Sequence, residues 1–171
     1  TSKLRIAALL LILGPALVLV IAAATGGLGA KPLTKAIHET GEWAVRFLLL
    51  SLAITPLRRI TGRARFVTVR RLIGLAAYGY VLAHFALFAA DQGWNPVRIG
   101  TEIASRVYLA IGLLALLGLT ALAVTSTDAW IRRLGPRWHA LHRIIHACAA
   151  LALLHFFMQS KIDADQASFM A

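Results

Sequence analysis

Long apolar stretches alternate with short polar breaks from one end of the chain to the other. The runs cover residues 6–24, 43–57, 72–90, 107–124 and 138–158. Crossing the hydrocarbon core of a bilayer takes about 20 helical residues, with a range of roughly 17 to 25, and four of the five runs meet that length. The second is short between Trp43 and Pro56. It becomes long enough if its helix starts near Thr34 and carries His38, Glu39, Glu42 and Arg46 on a sheltered or interfacial face. Breakers fall between the runs. Gly26, Gly27 and Gly29 followed by Pro32 stop the first helix, Pro56 marks the inner end of the second, and Asn95 with Pro96 makes the third turn. Thr125, Ser126 and Thr127 offer caps before Asp128. The pattern predicts an all-α, integral membrane helical bundle with five spans. No repeat, low-complexity segment or linker stands out, so residues 1–171 read as one compact domain.

Composition and charge sharpen this picture. Hydrophobic residues make up 59% of the 171 and mean hydropathy is +0.74, beyond the roughly half of an ordinary soluble domain. The formal charge of +11 would suit a nucleic-acid partner, but 14 of the 18 basic residues are arginine and most lie in short loops. There they act as topology signals, and no nucleic-acid partner is expected. Lys3 and Arg5 precede the first span; Arg58, Arg59, Arg63, Arg65, Arg70 and Arg71 fill the second loop; Arg132, Arg133 and Arg137 lie in the fourth. The opposite side holds Lys31, Lys35, Arg98, Arg106 and Lys161. By the positive-inside rule the N-terminus is cytoplasmic, and spans three and five run parallel from inside to outside. The first run is too long and too uncharged for a cleaved signal peptide. A single cysteine, Cys148, excludes an internal disulfide and a Cys-based zinc or iron–sulfur site.

The histidines carry the candidate chemistry. Strongly hydrogen-bonding side chains inside a bilayer are costly and mark function by default, although a lone one is as often a hydrogen-bonding group between helices. His84 and His155 have no polar neighbour in sequence. His84 stands six residues before the end of its run and His155 three before the end of its own, so their heights differ by about 4 to 5 Å. Two neutral imidazoles at one level of a bundle suit a bis-His haem. A catalytic zinc would need a third ligand at that depth. His142 lies thirteen residues before His155, roughly 20 Å along a helix, which suits a second haem nearer the cytoplasm. On an ideal helix, however, it points about 140° away from His155, so a kink, a bulge or a different neighbour is needed. Fourteen residues before His84 stands Arg70, either a propionate clamp or one more topology arginine. His139, His142 and His146 share one helical stripe, without the carboxylates or thiolates that complete most metal sites.

An ordered set of short motifs adds a resemblance. Gly26-Gly27-Leu28-Gly29-Ala30, Thr40-Gly41, Ile54-Thr55-Pro56-Leu57, Arg70-Arg71-Leu72-Ile73-Gly74-Leu75, Leu82-Ala83-His84, Thr125-Ser126-Thr127, Leu134-Gly135-Pro136-Arg137-Trp138, Leu141-His142-Arg143 and Leu154-His155 together resemble the MsrQ (YedZ) family. These are haem-binding membrane subunits of the periplasmic methionine sulfoxide reductase system, in the ferric-reductase-like transmembrane group. The resemblance implies a single ferric-reductase-like domain over 1–171, with a sixth span beyond it, in the bacterial inner membrane. It implies one or two b-type haems, with His84, His142 and His155 matching the haem-associated histidines. It also implies electrons from the quinone pool or a cytosolic flavin reductase, FMN as a further cofactor, and delivery to a periplasmic molybdopterin partner of the MsrP type, a reductase of methionine sulfoxide. The chain then acts as an electron-transfer subunit and leaves substrate reduction to its partner. Where the group's oxidases carry a second histidine in the third span, this chain has Arg70.

Two rival readings stand beside this one. A ferric-chelate or NADPH-oxidase-like reductase should carry a flavin and nicotinamide module, and no Gly-rich dinucleotide fingerprint follows a strand here. A transporter with intramembrane histidine proton relays would show no haem spectrum.

Overall fold

A computed structural model describes residues 2–62 and 66–169, and every regular element in them is an α-helix. Arg63 and Arg65, counted above among the inner-loop charges, lie outside the described residues. Four segments are long and apolar enough to cross a membrane: 3–24, 68–91, 107–124 and 136–162. The chain divides into two compact units, Thr1–Trp94 and Asn95–Ala171.

The first unit holds α1 (Ser2–Ala24), α2 (Pro32–Thr61) and α3 (Val67–Asp91). α2 begins two residues before the expected Thr34, with proline in its first turn, where the missing N–H is no loss. Pro56 does not end it. The helix runs through to Thr61 and stops at Gly62, whose φ of 68° is the left-handed geometry glycine adopts without strain; its N–H is donated back to Arg58. At 30 residues α2 is long enough to span, but its charges keep it from qualifying by composition. α2 and α3 form the packed hairpin of this unit. Phe47 is 1% exposed beside the rings of Trp43 and Tyr80, and Ala44, Leu48, Ile54 and Ala77 are buried in the same unit. Two buried hydroxyls are satisfied within α2 itself: Thr40 donates to Ala36 and Ser51 to Leu48, each at 2.8 Å.

α1 is the most lipid-like element, with Leu10 68% and Val18 67% exposed and only Ala8 and Ile12 buried. Such exposure would be a liability in water and is ordinary where the solvent is acyl chain. Pro15, inside α1, loosens the hydrogen-bond ladder of its turn. The Tyr80 hydroxyl donates to the Ile12 carbonyl at 2.7 Å and ties α1 to α3.

The second unit holds α4 (Pro96–Ser105), α5 (Val107–Val124), α6 (Asp128–Leu134), α7 (Pro136–His142) and α8 (Ile145–Phe169). The third turn therefore contains a helix: the Asn95 side chain caps α4 by accepting from Val97 and Arg98. Thr127 caps α6 as expected, accepting from Trp130. The fifth apolar run is not one helix. Arg143, Ile144 and His146 each donate to the residue three before, a tighter 3₁₀-like ladder that separates α7 from α8. Nor does α8 stop at Met158, because helical geometry outlasts the apolar run and continues to Phe169. α5 and α8 pack around Ala115, Leu119, Leu122, Cys148 and Ala149.

Candidate haem-ligand histidines

His84 faces α2. Its Nδ1 lies 2.8 Å from the carbonyl oxygen of Ile37, one helix away. A carbonyl can only accept, so Nδ1 carries the proton and the lone pair of a neutral ring sits on Nε2. The ring rests against Gly41, where a Cβ would lie 3.0 Å from Nδ1 and 3.1 Å from Cε1. Glycine leaves room for the imidazole to reach the main chain.

His155 repeats this arrangement in the second unit. Its Nδ1 lies 2.7 Å from the carbonyl oxygen of Tyr108, and its ring stacks on that of Tyr108 at 5.9 Å between centroids. The glycine is Gly112, and the fit is closer: a Cβ there would stand 2.8 Å from Nδ1 and 2.9 Å from Cε1. In both pairs the histidine follows its carbonyl by 47 residues. Beside Tyr108, Arg106 is held above the ordinary arginine value, first by hydrogen bonding to the Tyr108 side chain and then by Glu102, 2.9 Å away.

His142 is held differently. Its Nε2 lies 3.1 Å from Thr125 Oγ1, and that hydroxyl donates to the Ala121 carbonyl at 2.7 Å. With its one proton committed there, Thr125 Oγ1 accepts from Nε2–H, and the His142 lone pair falls on Nδ1. The ring stacks on Trp138 at 3.9 Å, and the Trp138 indole donates to the Thr125 carbonyl at 2.9 Å. Together they close the C-terminal end of α5, where carbonyls lack helical partners. The break after His142 interrupts the helix between it and His155, so the ideal 140° offset does not apply to the pair. His139, on α7, and His146, on α8, are exposed, and among the described residues no three potential metal ligands come together. Arg70 is exposed on the first turn of α3, fourteen residues and about 21 Å from His84 along the helix. An open groove lined by Leu28, Lys31, Thr34, Lys35, His38 and Glu39 lies at the start of α2.

Sequence reading singles out the histidines and passes over what orients them. The carbonyls of Ile37 and Tyr108 carry no side-chain signal, and Gly41 and Gly112 look like any helical glycine until a ring is placed against them. The donor set fits a haem: two imidazoles, each with Nδ1–H donated to a main-chain acceptor, would in their neutral form offer Nε2 to a metal, the arrangement that metal-binding histidines use.

Residues 40–158 match the family of the ferric reductase like transmembrane component. The chain is 44% identical over 139 residues to the protein-methionine-sulfoxide reductase heme-binding subunit MsrQ of Brucella anthropi, covering 81% of this chain and 63% of that one. It is 43% identical to the MsrQ of Xanthomonas euvesicatoria pv. vesicatoria, covering 84% and 66%, and 40% identical to that of Ralstonia nicotianae, covering 90% and 71%. The chain thus spans about two thirds of the length of these relatives. No solved structure matches it. The family match encloses both glycines and His84, His142 and His155, and with relatives above 40% identity over four fifths of its length, the chain belongs to the MsrQ family of ferric-reductase-like transmembrane proteins.

Proposed function

We propose that the chain is the membrane electron-transfer subunit of a methionine sulfoxide reductase system, and that His84 and His155 are the axial ligands of one b-type haem. The observation that carries this is the geometry the two rings share: each places Nδ1 within 2.8 Å of a carbonyl one helix away, to which its N–H donates. When bound, a haem supplies one-electron redox chemistry. The chain's own residues hold the Nδ1 protons and direct Nε2, and hydrogen bonding to a ligand ring of this kind tunes the potential.

In the proposed topology the N-terminus is cytoplasmic, α2 serves as a fifth span, and a sixth follows residue 171. Electrons enter from a quinol or a cytosolic flavin reductase, with FMN as a further cofactor, and leave to a periplasmic molybdopterin reductase. No residue of this chain is assigned to FMN or quinone. His142 is proposed for an inner, second haem, where it ligates through Nδ1 or gives up its bond to Thr125. The membrane is the bacterial inner membrane.

A transporter with histidine proton relays would bind no haem. Optical spectroscopy of the purified protein tests the proposal. A low-spin b-type spectrum is expected, and His84→Ala and His155→Ala should each abolish the same component. A spectrum without haem, or a full bis-His signal surviving in one of the two variants, would overturn the assignment.

A further inference from the structure

We infer that Gly41 and Gly112 are the positioning residues that set the planes of the two ligand rings. The inference rests on the ligation by His84 and His155 proposed above. A shift of 71 residues carries Ile37 onto Tyr108, Gly41 onto Gly112 and His84 onto His155, so every member of the first arrangement lands on its counterpart in the second. The packing follows the same register. Buried Ala44 falls on buried Ala115, Leu48 on Leu119, and Ala77 on Cys148, seven residues before the histidine in each case. Leu82 and Phe85, two residues before and one after His84 in sequence, fall on Leu153 and Phe156. The register escapes sequence inspection because few other positions agree: Phe47, the largest fully buried side chain, falls on Gly118.

The register has a geometric cause. A helical carbonyl points along the axis toward the residue four positions on, whose N–H it accepts. A ring that takes the second lone pair of that carbonyl must lie over the same residue. Ile37 with Gly41, and Tyr108 with Gly112, are such pairs. Any side chain at the fourth position displaces the ring: a Cβ would sit 3.0 Å from the His84 ring and 2.8 Å from the His155 ring, closer than carbon and nitrogen ordinarily approach. Each glycine therefore does two things. It lets the Nδ1–H reach its acceptor, and its flat surface fixes the rotation of the imidazole about the axis on which Nε2 points.

The test uses the haem-loaded protein and the variants Gly41→Ala, Gly112→Ala and Gly74→Ala. Gly74 serves as the control on α3, because a Cβ there meets only Ser51, at an ordinary 3.9 Å. Low-spin ferric electron paramagnetic resonance reads the ring planes, redox titration reads the potential, and haem titration reads affinity. Alanine at 41 or at 112 should shift the largest g value and the potential and weaken haem binding by about 10- to 100-fold, the usual consequence of losing a second-shell partner. Gly74→Ala should match wild type. Wild-type values at both 41 and 112, in a protein whose His84→Ala and His155→Ala variants lose the haem, would overturn this inference and leave the ligand assignment standing. Haem retained by those histidine variants would instead remove the assignment on which it rests. A measurement on the wild-type protein does not depend on the variants accumulating. With the three tyrosines labelled by ¹³C at the carbonyl, redox difference infrared spectroscopy should show one labelled amide band moving as the Nδ1–H of His155 changes acidity. No movement would refute the role given to the Tyr108 carbonyl.

Discussion

At the scale of single residues, the second unit depends on where side chains are missing. Gly118 of α5 faces Cys148 of α8 so closely that a Cβ would lie 2.5 Å from the sulfur, and Cys148 is itself 4% exposed, with little room to turn. Gly118→Ala is expected to destabilise the protein by about 1–3 kcal/mol, the usual cost of overfilling a packed site. In a Cys148→Ala background the same change should become neutral or favourable, because alanine is the better helix former by about 1 kcal/mol. Denaturant unfolding in detergent, run as a double-mutant cycle, should therefore return a coupling of about 1 kcal/mol or more. Equal costs in the two backgrounds would show that the sulfur is not what the glycine accommodates. These contacts mark the limit of what the sequence reveals. His84 and His155 stand out because an imidazole in an apolar run is chemically conspicuous. The residues that orient them do not, since a carbonyl belongs to every residue and a glycine's role depends on what lies opposite.

At the scale of elements, apolar runs locate the helices well and their ends poorly. α2 passes through Pro56, since a proline removes one hydrogen bond and the remaining ladder and packing carry the helix on to Gly62. The break between α7 and α8 falls inside a run that reads as one span, where the i→i+3 bonds at Arg143 and Ile144 leave no mark in hydropathy. α1 shows how a helix with little buried surface is held. Its link to α3 includes the hydrogen bond from Tyr80 to Ile12 at 2.7 Å, and such bonds between membrane helices contribute about 0.6 kcal/mol on average and about 1.7 at most. Tyr80→Phe should lower stability by an amount in that range and raise amide exchange in α1 ahead of α2. Uniform exchange across the unit would mean that the apolar contacts of Ala8 and Ile12 suffice. His142 belongs to another structure, the Thr125–Trp138 closure of α5. His142→Ala should spare the His84/His155 haem and weaken a separate, inner component. Loss of the outer spectrum with the fold intact would argue against two sites.

At the scale of the whole molecule, charge sets direction. The proposed topology places Arg58, Arg59, Arg70 and Arg71 on the cytoplasmic side, where a local excess of Lys and Arg over a short loop fixes orientation. No one of them is needed for that, so a variant of Arg70 separates a topological role from a redox one. Arg70 stands about 21 Å from His84 along α3, on the exposed first turn. That is the level at which an inner cofactor would meet this helix, and a guanidinium there can hold a carboxylate such as a haem propionate through two parallel N–H bonds. Removing the fork then impairs the inner site alone. Arg70→Gln should insert with the wild-type topology and keep the His84/His155 spectrum. Haem reduction by a quinol or reduced flavin should slow, while reoxidation by the periplasmic partner stays unchanged. Stopped-flow measurement of the two half-reactions distinguishes the cases. Wild-type rates in both would return Arg70 to the group of topology arginines, whereas equal slowing of both would place its effect on the outer haem and so on the α3 scaffold that carries His84.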